Sequence, residues 1–321
     1  MFKTVSSEEF GAQFKSTSGT EVSSKQTLLT HLRNEFPGSD VGTWNGEMVM
    51  VKYAPACYIK TELDAYHALD FHESLLKLLA VVTGERKDDF VEYTTHYTRS
   101  CKSNLEKQVK KDLVTTKEIA LVFEYPAQGT VADFMNSKID ETTSRLWMIQ
   151  TARALRYMNS KNYIHNNLTP YYCYVTGTGN IKIGGLHCAN NKTFMGTIKY
   201  CAPEQMWDYN DSFIKVGTNT DVFIFAMCMP AFYGKDYTIS RVERGSFDAE
   251  DYRHDQAPDS LDLPSTIRKL MYKCLRLHPT QRPTMENVVL CLIANDDTLF
   301  DAICRNVLNV SLLESLLREV S

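Results

Sequence analysis

SKNYIHNNLTPYYCYV (residues 160–175), with NIKIGGLH at 180–187 and YCAPE at 200–204, is the stretch whose reading decides the fold. YIHNNLTPYYCYV and NIKIGGL read as short strands flanking a loop. From Tyr163 to Pro203 there is no Asp or Glu. On the N-terminal side, ETTSRLWMIQTARALRYMNS (141–160) carries apolar residues at i, i+3 and i+4 over several turns, which predicts an amphipathic helix, and TVADFM (130–135) predicts a short one. On the C-terminal side helices are expected at 220–230, 264–276 and 284–294. The first of these is apolar on nearly every side and is a candidate for the centre of a lobe.

Farther toward the N-terminus the period changes. VGTWNGEMVMVKYA (41–54) alternates apolar and polar residues around Asn45-Gly46, the signature of a β-hairpin whose second strand runs through Val49 and Val51 to Lys52. IKTELDAYHALDFHESLLKLLAV (59–81) has helical spacing to about Leu69, then an apolar run from Leu75 to Val82 that reads as a strand with its lead-in. IALVFEY (119–125) is a further strand. Between them HYTRSCKSNLEKQVKKDL (96–113) is basic and weakly periodic, so a loop or helical insertion is expected. Residues 1–35 are rich in Ser, Thr, Lys and Glu, with one apolar cluster at Leu28–Leu32, and read as a mobile tail leading into a short helix. A small β-rich lobe followed by a larger helical lobe is the result.

The 321 residues are enough for two lobes with sizeable cores. With 35 basic and 39 acidic residues the formal charge is −4, which leaves no footprint for nucleic acid or an anionic membrane. Nine cysteines without a C-x-x-C pair argue against a disulfide framework or a zinc site. MFKTVSSEEFGAQF has neither an apolar signal segment nor a Gly after Met1, and no apolar run is long enough for a bilayer, so a cytoplasmic or nuclear protein is expected.

Taken in order, these pieces resemble the signature set of the protein kinases over roughly 36–295, nearest in tone to the tyrosine-kinase and tyrosine-kinase-like branches. V-M-V-K at 49–52 resembles the V-A-I-K strand, and Glu62 resembles the glutamate that pairs with its lysine. LVFEY (121–125) resembles the hinge, with Phe123 limiting access to the back of the cleft. SKNYIHNNLTPYYCYV is similar to the H-R-D-L-x-x-x-N loop, IKIGGLH to the strand and D-F-G turn, and YCAPE to A-P-E. Asp221 stands where kinases brace the catalytic loop, and Arg282 of HPTQRP where an arginine pairs with the A-P-E glutamate, here Glu204. The resemblance implies an α+β, bilobal protein-kinase-like fold. Its expected parts are a tail at 1–35, a kinase-like domain at 36–295 and a helical tail at 296–321; within the domain the N-lobe spans about 36–123 and the C-lobe about 126–295.

Kinases transfer phosphate by positioning and charge neutralisation, which takes a carboxylate at the substrate hydroxyl and oxygen ligands on Mg²⁺. Under the resemblance Asn166 replaces the loop arginine, Asn167 the catalytic aspartate, Tyr172 the metal-binding asparagine and Gly185 the D-F-G aspartate. An amide is not a proton acceptor near neutral pH, and a glycine offers Mg²⁺ no ligand. Since no acid lies between Tyr163 and Pro203, no shift of register restores these groups. The expectation is a pseudokinase and not an enzyme: a signalling scaffold or allosteric regulator whose partners are proteins, such as an active kinase, with no metal site and no required cofactor. The alternatives are an unconventional ATP-dependent transferase and a nucleotide-sensing module.

ATP binding without Mg²⁺ stays open under this reading. Lys52 and Glu62 are retained, and Val41, Met50, Phe123, Tyr125 and Tyr174 complete the vestigial nucleotide cleft that the resemblance implies. Against binding stand Met50 and Tyr174, which are bulky where adenine would lie. The segment Gly38–Gly42 also lacks G-x-G-x-x-G spacing, and Asp40 sets a negative charge near any phosphate. Loss of the arginine at Asn166 removes the usual docking cation for a phosphorylated Thr193 or Thr197.

Overall fold

The computed structural model describes residues 2–17, 40–54, 56–84, 118–190, 197–205, 215–236, 262–296 and 302–303. The chain divides into two compact units. A sheet unit comprises Met1–Phe71, Leu76–Gly129 and Val175–Thr178; a helical unit comprises His72–Leu75, Thr130–Tyr174 and Gly179–Ser321. The α+β, two-lobed kinase-like fold expected from the sequence is thus present. The lobe boundaries differ from the expected 36–123 and 126–295, because each unit borrows a short segment from the other's span and the sheet unit starts at the N-terminus.

The sheet unit holds strands β1 (Lys3–Ser6), β2 (Lys15–Ser16), β3 (Asp40–Trp44), β4 (Glu47–Tyr53), β5 (Leu78–Thr83) and β6 (Glu118–Glu124), in the order β1-β5-β6-β4-β3-β2. Helix α1 (Ser7–Gln13) joins β1 to β2, and α2 (Ala56–Ala68) joins β4 to β5. The β3–β4 hairpin turns on Asn45 (φ 53°) and Gly46 (φ 81°), the pair of left-handed residues that a two-residue turn matching strand twist requires. Register aligns Val41, Met50, Phe123 and Leu78 across four strands on one face. Lys52 lies on that same face, two residues beyond Met50, and the ring of Tyr66 from α2 packs 5.8 Å from that of Phe123.

The opposite face corrects the expectation of a mobile tail over residues 2–17, the described part of 1–35. β1 pairs in parallel with β5 from Lys3↔Ala80 to Ser6↔Thr83, and β2 pairs with β3. Between them α1, capped by Ser6 Oγ accepting the Glu9 N–H at 3.1 Å, crosses the sheet. Val5 and Phe10 join Trp44, Val49, Val51, Ala80, Val82, Ala120 and Val122 in one buried cluster, with Phe14 and Tyr53 against it. The tail reading failed over residues 2–17 because only Val5 and Phe10 are fully buried along this polar stretch, too few for a periodic signal.

Gly42 lies inside β3, opposite Val49, and not in a phosphate loop. A Cβ there would sit 2.6 Å from Cε2 and Cζ of Phe14, so the glycine is set by close packing of the N-terminal segment. Gly38, the Leu28–Leu32 cluster, the basic stretch 96–113 and Thr193 lie outside the described residues, as does all of 297–321 except Ala302 and Ile303.

In the helical unit α3 (Glu141–Ser160) is capped by Asp140, whose carboxylate accepts the Thr143 N–H at 2.9 Å and its hydroxyl at 2.7 Å. These bonds hold the exposed Asp140 carboxyl below its usual range. β7 (Cys173–Val175) and β8 (Ile181–Ile183) form a two-stranded ribbon. Trp147 and Gln150 of α3 fix the turn before β8: Trp147 Nε1 donates to Gly179 O at 2.7 Å, and Gln150 Oε1 accepts the Ile181 N–H at 2.7 Å. α4 (Thr218–Cys228) is buried from Thr220 to Cys228, as its all-round apolarity implied. α5 (Ser265–Cys274) and α6 (Met285–Ala294) complete the unit, α5 burying Ile267, Leu270, Met271 and Cys274 at helical spacing. The short helix expected at 130–135 is a 3₁₀ turn over Val131–Phe134.

Phe10→Ala tests the docked N-terminal segment. Removing a buried phenyl from an aromatic and aliphatic cluster is expected to lower stability by ~3–5 kcal/mol in urea denaturation. A loss within ~0.5 kcal/mol, typical of surface sites, would show that the segment is not part of the sheet's core.

Candidate functional site

In the sheet unit, alternation along β4 brings Lys52 to the α2 side of the sheet, and α2 presents Glu62 toward it. Lys52 Nζ lies 2.6 Å from Glu62 Oε2, with side-chain exposures of 4% and 1%. A buried charge is tolerated when paired at this range, and loss of either partner leaves the other stranded. Of the other residues expected at the nucleotide cleft, Val41, Met50 and Phe123 are buried on the Lys52 face. Tyr125 follows β6 and is half-buried. Tyr174 is buried in β7, in the helical unit, where it bridges Thr130.

In the helical unit the loop after α3 is organised by one carboxylate. Asp221, in the first turn of α4, accepts the N–H of His165 (2.9 Å, Oδ2), the N–H of Asn166 (2.9 Å, Oδ1) and the amide of Asn159 (3.1 Å, Oδ2). Burial pushes its carboxyl up to about 6, against these hydrogen bonds, which pull it down. His165 Nε2 lies 2.9 Å from Gly184 O and ties the loop to the turn after β8. That contact gives His165 a structural role in joining the two turns. Asn166 has φ 70°, a left-handed conformation that asparagine tolerates better than most residues.

Asn166, Asn167 and Tyr172, which the resemblance was expected to set at charged or metal-binding positions, are each bonded or packed within the helical unit. Asn167 Oδ1 accepts both the N–H and the hydroxyl of Thr197, at 2.8 and 3.0 Å. Gln205 Nε2 donates to Asn166 O and Oδ1 at 2.9 and 3.0 Å. Tyr172 is buried, its carbonyl accepts the Gly184 N–H at 3.0 Å, and its ring meets His187 edge-on at 5.4 Å. Gln205 and Asn159 were not singled out from the sequence, and Thr197 was singled out only as a candidate phosphorylation position. Only Gln205, adjacent to Glu204, had a positional cue.

Glu204 and Arg282 form a bidentate pair at 2.6 and 2.8 Å, with both side chains at 0% exposure. Arg282 also donates to the carbonyls of Arg276, Leu277 and Asn219, and lies over the Phe223 ring, 4.9 Å from its centroid. The Thr220 hydroxyl donates to Glu204 Oε1 at 2.8 Å. The guanidinium is therefore bonded on each of its nitrogens, the condition under which a buried ion pair holds elements together.

Kinase chemistry implies ATP and Mg²⁺. Lys52 is the residue that fits a polyphosphate, as a buried ammonium oriented by Glu62. The donors around β8 do not fit a divalent cation: Asn167 is bonded to Thr197, Tyr172 presents a ring, and Gly185 has no side chain. Among the described residues no group of three or more His, Cys, Asp or Glu gathers in a metal-binding arrangement.

Sheet unit, helical unit, buried lysine–glutamate pair and braced loop together define a protein-kinase-like domain. A family model described as protein tyrosine and serine/threonine kinase matches residues 60–292, well over half of the chain, and the chain belongs to that family. It is 28% identical over 184 residues to the Aurora/IPL1-related protein kinase 2 of Caenorhabditis elegans, covering 54% of this chain and 57% of that protein. It is 25% identical over 189 residues to the probable serine/threonine-protein kinase MARK-A of Dictyostelium discoideum, covering 54% of this chain and 17% of that protein. Identity to the putative mitogen-activated protein kinase kinase kinase 7-like of Drosophila melanogaster is 25% over 191 residues, covering 54% and 47%. The chain thus spans less than two thirds of each relative.

These relationships correct one expectation. The chain was expected, from its loop without acids, not to be an enzyme; its family is one of kinases, and all three relatives are named as protein kinases, which points to a kinase enzyme. The missing carboxylates describe how the site is furnished and do not remove the chain from that family.

Two outcomes follow from the buried charges. Arg282→Ala strands Glu204 and is expected to destabilise the helical unit by ~3–5 kcal/mol in chemical denaturation; an effect below ~1 kcal/mol would place the pair in water. The folded chain keeps the Asp221 proton up to about 6, whereas the unfolded chain releases it near 3.8. Between those values the folded state binds more protons, so this contribution to stability declines as pH rises. Stability measured across that interval should carry the declining component in the natural chain and lack it in Asp221→Asn.

Proposed function

We propose that this chain is an intracellular signalling protein that uses its kinase-family fold as a scaffold or allosteric regulator of a partner protein, such as an active kinase or another signalling enzyme. The observation that carries this reading is mutual satisfaction around the loop: Asn167 holds Thr197, Asn166 holds Gln205, and Tyr172 packs on Gly185. Such an arrangement supports presenting a fixed surface to a partner. A cytoplasmic or nuclear location is part of the proposal; no helix among the described residues is long and apolar enough to cross a membrane. So are the absence of a required cofactor and the capacity to take ATP without Mg²⁺.

A second reading is an ATP-dependent transferase that works through another arrangement of groups. The buried Lys52–Glu62 pair and the named kinase relatives favour it. Lys52→Met separates the two. Under the leading reading, cells lacking the protein recover its signalling output with the Lys52→Met chain as fully as with the natural one. Loss of rescue, together with transfer of labelled phosphate from ATP that depends on Lys52, would establish the transferase instead.

A further inference from the structure

Tyr172 and Gly185 stand at the positions that the kinase pattern assigns to metal ligands, and they are not independent substitutions. The Tyr172 ring lies against the α-carbon of Gly185. A Cβ added there would fall 2.5 Å from ring Cγ and 2.7 Å from Cε1, distances that real Cβ atoms do not adopt. The backbone adds a smaller strain of its own. Gly185 has φ 74°, a left-handed conformation that aspartate also visits at modest cost. The ring therefore adds a steric block at 185 to the strain of the local backbone.

The ring cannot swing away cheaply. Tyr172 is 2% exposed, its N–H donates to Thr169 O at 2.9 Å, and its carbonyl accepts the Gly184 N–H at 3.0 Å, which fixes both ends of the peptide that carries it. Its edge contact with His187, 68° between planes, closes the other side. His165, bonded to Gly184 O, anchors the same turn from the catalytic-loop side. A neutral phenol in this setting is a poor ligand for a hard cation that prefers carboxylates, carbonyls and water.

We infer that Tyr172 and Gly185 form one interlock that closes the turn after β8 to divalent cations. The interlock operates whether the chain works as a regulator or as a transferase, because it concerns only the helical unit's own side chains. Exchange of either residue alone for its kinase counterpart disturbs the turn, and exchange of both together opens a metal site.

The test is a double-mutant cycle on the full chain with two readouts. Thermal unfolding is measured for the natural protein, Gly185→Asp, Tyr172→Asn and the double variant. Binding of Mn²⁺ in the presence of ATP is followed by its electron paramagnetic resonance signal. Gly185→Asp alone is expected to lower Tm by several degrees. The double variant should recover most of that loss and take up Mn²⁺ that the natural chain does not. Additive Tm changes, a Gly185→Asp chain as stable as the natural one, Mn²⁺ bound equally by natural and double-variant chains, or a folded double variant that takes up none would each overturn the interlock.

Discussion

Asp221 is the constraint on which the helical unit's site depends. A carboxylate buried at the start of α4 faces a large desolvation penalty, and it is tolerated because it receives the backbone N–H groups of His165 and Asn166 and the Asn159 amide. Those bonds run both ways. They fix two consecutive peptides of a loop that has no ladder of its own, leaving Asn166 in its left-handed conformation and aiming Asn167 at Thr197. From there the order spreads through His165 to Gly184 and through Gln205 to the segment that Glu204 and Arg282 anchor.

Each unit thus has a frame of buried charges, and the loop of the helical unit is furnished with neutral contents. The frame consists of buried charges: Lys52 with Glu62 in the sheet unit, and Asp221 and Glu204 with Arg282 in the helical unit. Each is held by partners whose loss would strand a charge in low dielectric. The contents are neutral. Asn167 uses its acceptor on Thr197, Asn166 uses its oxygens on Gln205, and Tyr172 fills space beside Gly185. Neutral groups that satisfy one another keep the loop ordered through their own hydrogen bonds.

Much of the frame was legible because it consists of short patterns with a mechanism. Asn45-Gly46 specified the hairpin, the apolar spacing in 141–160 specified α3, and the alternation in 47–53 set Lys52 on one face. What escaped was whatever depends on contacts distant in sequence. The N-terminal segment has too few inward residues to announce a strand or helix, and only pairing with β5 and cover over Trp44 make it structure. Gly42 was read as the remnant of a phosphate loop, although it is small because the Lys15 carbonyl and the Phe14 ring approach it. Tyr172 and Gly185 were each read as a lost ligand, whereas their contact makes them one feature. The lack of acids from Tyr163 to Pro203 was plain in the sequence, but it did not place the chain outside a family of kinases, since family membership is carried by the whole pattern over 60–292.

The central claim is that the loop from His165 to Asn167 is held as rigidly as the core by one buried carboxylate. Amide hydrogen exchange of His165 and Asn166 in the full chain tests it directly. Held by Asp221 in a dry interior, both amides should exchange only through global unfolding, as slowly as the centre of α4. Exchange on the timescale of exposed loop amides, with α4 still protected, would contradict it.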